Sequence, residues 1–190
     1  MKKFIFALIA LLTICSCACN REQNEKIATV EDIVAVDREN MLLNYGEDYR
    51  WYETSIVLNH FADAEDTDMS IQSLTNVFQV VTMVTDHSGD IKVVSYFHEG
   101  DSTKVSVIED LWVGDEPLND QPIVVTFEDA YSRMIQANIV KPHSRMVVLR
   151  KEVAPLDANP QWIFGNADWQ VYVDAITGDV RSNNPAFPEE

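Results

Sequence analysis

The side chains best suited to hold a hard cation lie in one short run: Asp63, Glu65, Asp66 and Asp68. Several carboxylate oxygens on a flexible loop are what Ca²⁺ requires. The run lacks the glycine and the terminal bidentate glutamate of an EF-hand loop, so a solvated acidic face is the competing reading. The four histidines, His60, His87, His98 and His143, include no H-x-x-x-H pair of the kind that announces a zinc site. A G-x-S-x-G elbow, an H-E-x-x-H helix and a glycine-rich phosphate loop are all missing from the sequence. Acids are so numerous that choosing two as a glycosidase pair is arbitrary. Trp51, Trp112, Trp162 and Trp169 could stack on a sugar or peptide, yet they fall in apolar-alternating stretches where core packing is the usual role. Trp112, beside Glu109 and Asp110 at a strand end, is the one whose exposure would decide between the two readings. The chemistry on offer is that of a binding protein, with no catalytic residues and no cofactor.

Cysteine chemistry is confined to the N-terminus. Cys15, Cys17 and Cys19 follow the charged start Met1-Lys2-Lys3 and an apolar run over residues 4–14. A charged start, a short apolar stretch and small residues beyond it form a secretory leader. The run falls short of the ~20 apolar residues that span a bilayer. The placement resembles the lipobox of bacterial lipoproteins, in which a cysteine behind a small residue is lipidated and becomes the new N-terminus. Cys17 behind Ser16 fits best, and Cys19 behind Ala18 is the alternative; a plain leader with incidental cysteines is the competing reading. The expected address is the bacterial envelope, lipid-anchored on the periplasmic or surface face of the outer membrane. Residues 1–19 are then the leader and residues 20–27 a polar tether. With no cysteine after Cys19, the folded part contains no disulfide and no thiolate. Fourteen basic against 31 acidic residues give a net charge of −17, which repels a phosphate backbone and excludes nucleic acid as partner.

The chain is 190 residues long, enough for one domain or two small units, and 46% hydrophobic, enough for a core. Residues 28–44 carry apolar side chains at helical spacing, closed by Gly46. Residues 49–61 are aromatic and β-branched, as strands are. Residues 77–85, 91–98 and 104–113 are three further strands in consecutive hairpins, an antiparallel meander. Residues 114–122, with two prolines, mark a boundary. Thr126 stands three residues before Asp129, a capping signal for a helix over residues 127–139 ended by Pro142. Residues 144–153 form a strand and 161–165 a short extended piece. In residues 168–175, Trp169, Val171 and Val173 share one face and Gln170, Tyr172 and Asp174 the other. Gly178 supplies the positive φ of the turn that follows.

The stretch VTDHSGDI at 84–91 echoes VDAITGDV at 173–180. Either the chain is two copies of one α+β unit, or Ser/Thr-Gly-Asp is simply a common turn sequence. The expected architecture is α+β, helices packed on antiparallel sheet. Residues 28–116 form one unit, residues 123–182 a second, and residues 183–190 a loose tail.

The ending WQVYVDAITGDV resembles that of PepSY domains, small bacterial exported modules in which a helix precedes a strand and then a strand of the type "VyvDa-x-TG-[ED]-V". The resemblance covers about residues 123–181. It implies a non-catalytic module that binds a protein or peptide in the envelope, a protease among the partner classes, since PepSY domains occur in propeptides of metalloproteases. Tyr172, Asp174 and Trp112 are the candidate partner-binding residues. A small-ligand or Ca²⁺ binder using Asp63, Glu65, Asp66 and Asp68 is the alternative, and a structural envelope lipoprotein the second.

Overall fold

The computed structural model describes residues 28–62, 69–81, 91–113, 115–118, 122–152 and 158–183. Two helices start with the same four-residue pattern, Thr29-Val30-Glu31-Asp32 and Thr126-Phe127-Glu128-Asp129. In α1 (Val30–Tyr45), the Thr29 hydroxyl accepts the Asp32 N–H while the Asp32 carboxylate accepts the Thr29 N–H. In α2 (Phe127–Gln136), the Thr126 hydroxyl accepts the Asp129 N–H. Each cap satisfies amide groups that the first helical turn leaves without partners. Gly46 ends α1 at φ 62°, its N–H donating to the Leu42 carbonyl.

Nine strands are formed among the described residues: β1 (Tyr49–Leu58), β2 (Ile71–Val81), β3 (Ile91–Glu99), β4 (Ser102–Ile108), β5 (Asp115–Glu116), β6 (Met146–Glu152), β7 (Gln161–Asn166), β8 (Trp169–Asp174) and β9 (Val180–Ser182). They make one antiparallel sheet in the order β4-β3-β2-β1-β6-β7-β8-β9, with β5 beside β6. The order reads the same outward from the β1–β6 seam in both directions, and each half is a helix followed by a four-strand meander. One register row crosses all eight strands: Lys104, Phe97, Thr75, Ser55, Val148, Ile163, Tyr172, Arg181.

A single core joins both helices to one face of the sheet. Val30, Val34 and Met41 of α1 and Phe127, Ala130, Tyr131 and Met134 of α2 meet Trp51, Phe78, Leu149, Trp162 and Phe164 there. The meander, both helices and the positive φ of Gly178 (79°) match the sequence expectations. Boundaries differ where burial, not pattern, decides them. β2 starts at Ile71 rather than 77, because pairing with β1 draws in a polar stretch whose Leu74 is buried. β4 stops at Ile108, short of 113, with every residue exposed. α2 ends at Gln136, three residues before the expected Ile139. The piece at 161–165 is a full strand buried from Gln161 to Gly165, because β6 and β8 pair with both of its edges. The expected boundary at 114–122 is where the chain crosses between halves. There β5 pairs with Lys151 and Glu152, and buried Leu118 donates its N–H to the Trp51 carbonyl at 2.7 Å.

Candidate functional site

The helix-free face of the sheet carries two of the expected partner-binding residues. Tyr172 is 7% exposed; the Arg181 guanidinium lies 3.8 Å above its ring, and its hydroxyl donates to Gln170 Oε1. Burial, with the charge of Glu152 adding to it, pushes the phenol up. Asp174 is a turn bracket. Its Oδ1 accepts the N–H groups of Ile176 and Thr177, both at 2.8 Å, and its Oδ2 accepts Asn159 Nδ2 and Gln161 Nε2. Burial alone would raise this carboxyl, but those four donors outweigh it and hold it below its ordinary value. Gly178 completes the bracket: a Cβ there would meet the Arg133 guanidinium at 2.5 Å.

Trp112 is half-buried rather than exposed. Its backbone N–H donates to Gln79 Oε1 at 3.0 Å and its indole N–H to Asp115 Oδ2 at 3.2 Å. Asp115 in turn faces Arg150 Nε at 3.8 Å, and Arg150 Nη2 donates to Glu152 at 3.1 Å. Glu53 is paired with Arg150 across the seam and accepts the Ser55 hydroxyl. Burial pushes both Glu53 and Asp115 above the ordinary carboxylate range, with Arg150 pulling the other way. Trp112 and Tyr172 thus border one charged cluster centred on Arg150, with Asp174 in the next register pair along. All three are committed to internal bonds.

Among the described residues, the open end of the sheet is the other one. β4 is an edge strand whose seven residues are all exposed. Val105 (55%) and Val107 (49%) pair with Tyr96 and Val94 and so face the helix side, while Ile108 (52%) faces away. Leu111 (50%) and Val113 (79%), just after the strand, are exposed as well.

Sequence reasoning missed a buried polar chain beneath α1. Asp37, 1% exposed, accepts Asn76 Nδ2 at 2.7 Å and His98 Nε2 at 2.8 Å. Thr54 donates to Asn76 Oδ1 and accepts the Trp51 indole N–H. His98 Nδ1 lies 3.0 Å from the exposed Thr103 hydroxyl. With Nε2–H donating to the carboxylate, Nδ1 of the neutral ring accepts from the Thr103 hydroxyl. Hydroxyl, imidazole and carboxylate then stand in the order that activates a nucleophile, but Asn76 shares the carboxylate and the assembly pins α1 to β2 and β3. Its members are scattered through the sequence with no motif spacing; the one available signal is a lone aspartate on the apolar stripe of α1.

The lipidation candidates Cys17 and Cys19, the acidic run Asp63, Glu65, Asp66 and Asp68, and His87 lie outside the described residues. Among the described residues no group of three His, Cys, Asp or Glu is placed to hold a metal, and no helix is long and apolar enough to cross a membrane. No family model matches the chain, and no curated protein or solved structure matches it.

Proposed function

We propose that this is a non-catalytic, lipid-anchored envelope protein that takes an extended segment of a partner protein onto the β4 edge. The single observation behind this reading is β4 itself. Among the described residues it is an unpaired edge with five exposed apolar side chains along and just after it (Val105, Val107, Ile108, Leu111 and Val113), guarded by Lys104 alone among its own residues. Soluble proteins normally blunt such edges with charge, proline or a covering element, because free backbone groups recruit another strand. Strand addition gives affinity through main-chain hydrogen bonds and specificity through alternate side-chain pockets. A protease is the partner class that the PepSY-like ending suggests, and lipidation at Cys17, or Cys19, would hold the module at the membrane.

The duplicated plan is part of the proposal. The palindromic strand order, the two Thr-x-Glu-Asp helix starts and the Gly-Asp pairs in the β3–β4 and β8–β9 connections (Gly100-Asp101, Gly178-Asp179) support two related α+β units. Among the described residues, only the first unit leaves its outer strand long and bare.

The test is comparative capture. Immobilised chain 20–190 and its Val105→Lys/Val107→Lys variant are exposed to envelope and secreted extract. Both substituted side chains are exposed, so the variant keeps its thermal midpoint. A protein enriched by the native chain and lost from the variant supports the edge, and inhibition of that protein, where it is a protease, supports restraint. Equal enrichment on both, or none on either, rejects the reading.

A further inference from the structure

A cleft of about 320 Å³ opens on the helix side of the sheet, over the seam between the two halves. Its floor is Trp51 of β1, Leu149 of β6 and Trp162 of β7, and its walls are α1 and the segment 122–126 that enters α2. Both indoles are fixed by their own N–H groups. Trp51 donates to Thr54 Oγ1 and the Glu53 carbonyl, each at 3.2 Å, and Trp162 donates to the Val125 carbonyl at 2.8 Å. The aromatic floor is therefore rigid before anything enters, which lowers the entropic cost of binding.

Two charged residues line the same space. Glu31 is committed, because its carboxylate accepts the Phe127 N–H at 2.8 Å and thereby caps α2 from α1. Arg38 lies with its guanidinium 5.7 Å from the centre of the Trp51 ring, at the edge of the cleft. An apolar hollow with few convergent polar groups at the meeting of two halves has the form of a small-molecule site. From these residues we propose that the cleft binds a small amphipathic carboxylate: an aromatic or short aliphatic body against Trp51 and Trp162, with one anionic group on Arg38. At about 30 Å³ for each water of the liquid, the volume equals that of roughly ten waters, room for a ligand the size of phenylacetate. The planar guanidinium offers a carboxylate two parallel donors. Charges beyond about 8 Å are screened at physiological salt, so discrimination falls to Arg38 set against the Glu31 carboxylate, whose charge the N-terminus of α2 partly offsets through the Phe127 N–H.

The test uses phenylacetate, and its neutral isostere phenylacetamide, with the soluble chain labelled for ¹H–¹⁵N spectra of the four indole N–H groups. Phenylacetate is expected to shift Trp51 and Trp162 but not Trp112 and Trp169, and to bind at least tenfold tighter than the amide. Arg38→Gln removes that preference, and Ala35→Trp, an exposed position on the wall, blocks binding at unchanged thermal midpoint. Equal affinity for acid and amide overturns the charged contact. Shifts at Trp112 or Trp169, persistence in Ala35→Trp, or no binding overturns the site. None of these outcomes depends on the β4 partner.

Discussion

The two halves put matching backbone positions on either side of the seam and fill them with opposite chemistry. Ser55 and Val148 face one another in the row that crosses the sheet, so Thr54 and Val147, one residue earlier, occupy equivalent places on the helix side. By the same register Asn76 corresponds to Phe164, His98 to Val173 and Thr103 to Val180. Asp37 lies as far past the capping Thr29 as Met134 lies past Thr126. The first half thus builds a hydrogen-bonded chain where the second packs Met134, Val147, Phe164 and Val173 at 0% exposure, with Val180 half-buried at the end of the row. Since apolar packing fills the second half, the polar chain is not needed to form the plan. A satisfied polar network fixes geometry more than it adds stability, because the gain in pairing is largely offset by desolvation. Here it fixes α1 against β3, directly behind the open edge.

The comparison makes its largest prediction in the apolar half. Met134→Asp puts a carboxylate into a core that offers it no donors like Asn76 and His98, and should cost roughly 5 kcal/mol or more. Urea unfolding followed by circular dichroism should show little native state near neutral pH. Next, Asp37→Met leaves the Asn76 and His98 donors buried without their acceptor and should cost about 3 kcal/mol. Adding Thr54→Val, Asn76→Phe and His98→Val transplants the chemistry of the second half and should recover most of that loss. A quadruple variant less stable than the single one would break the equivalence.

Smaller effects come from the charged rows. Folding depresses the carboxyl of Asp174, so its contribution is present above the ordinary carboxylate value and lost as pH falls through the depressed one. Asp174→Asn should lower the melting midpoint near neutral pH and cease to matter in strong acid. Glu53 has the opposite sign: burial raises it, so ionisation costs the folded state stability as pH climbs through the raised value. Glu53→Gln should raise the midpoint near neutral pH and make no difference below the ordinary carboxylate range. Smallest of all are the two ends of the long row, Arg181 over Tyr172 at 3.8 Å and Lys104 over Phe97 at 5.7 Å. Arg181→Ala should cost about 1 kcal/mol by thermal unfolding, and Lys104→Ala, wholly in water, less than that.

Local signals were legible where they act locally. The cap of Thr126, Gly46, the hairpin at Gly100-Asp101 and the alternation of Trp169, Val171 and Val173 each rest on contacts within a few residues. The turn echo between 84–91 and 173–180 shows where such reading fails. Those segments join β2 to β3 and β8 to β9, which are not equivalent places in the strand order. The connection matching Gly178-Asp179 is Gly100-Asp101, and only the order of strands in the sheet pairs them. Tyr172 and Asp174 stood on the polar side of their alternation, yet both are tied down, because Arg181, Gln161 and Asn159 arrive from elsewhere in the chain.

By itself the sequence determined the class of fold, the helix starts, the hairpins and a strongly acidic surface, since propensity, capping and period-two burial are short-range effects. Tertiary structure alone decided that β1 pairs with β6, and from that pairing follow the single sheet, the seam, the cleft above it and the bare edge far from it. It alone also brought Asp37 to Asn76 and His98. Those contacts join residues far apart in the chain, and their energies depend on burial that no local pattern carries.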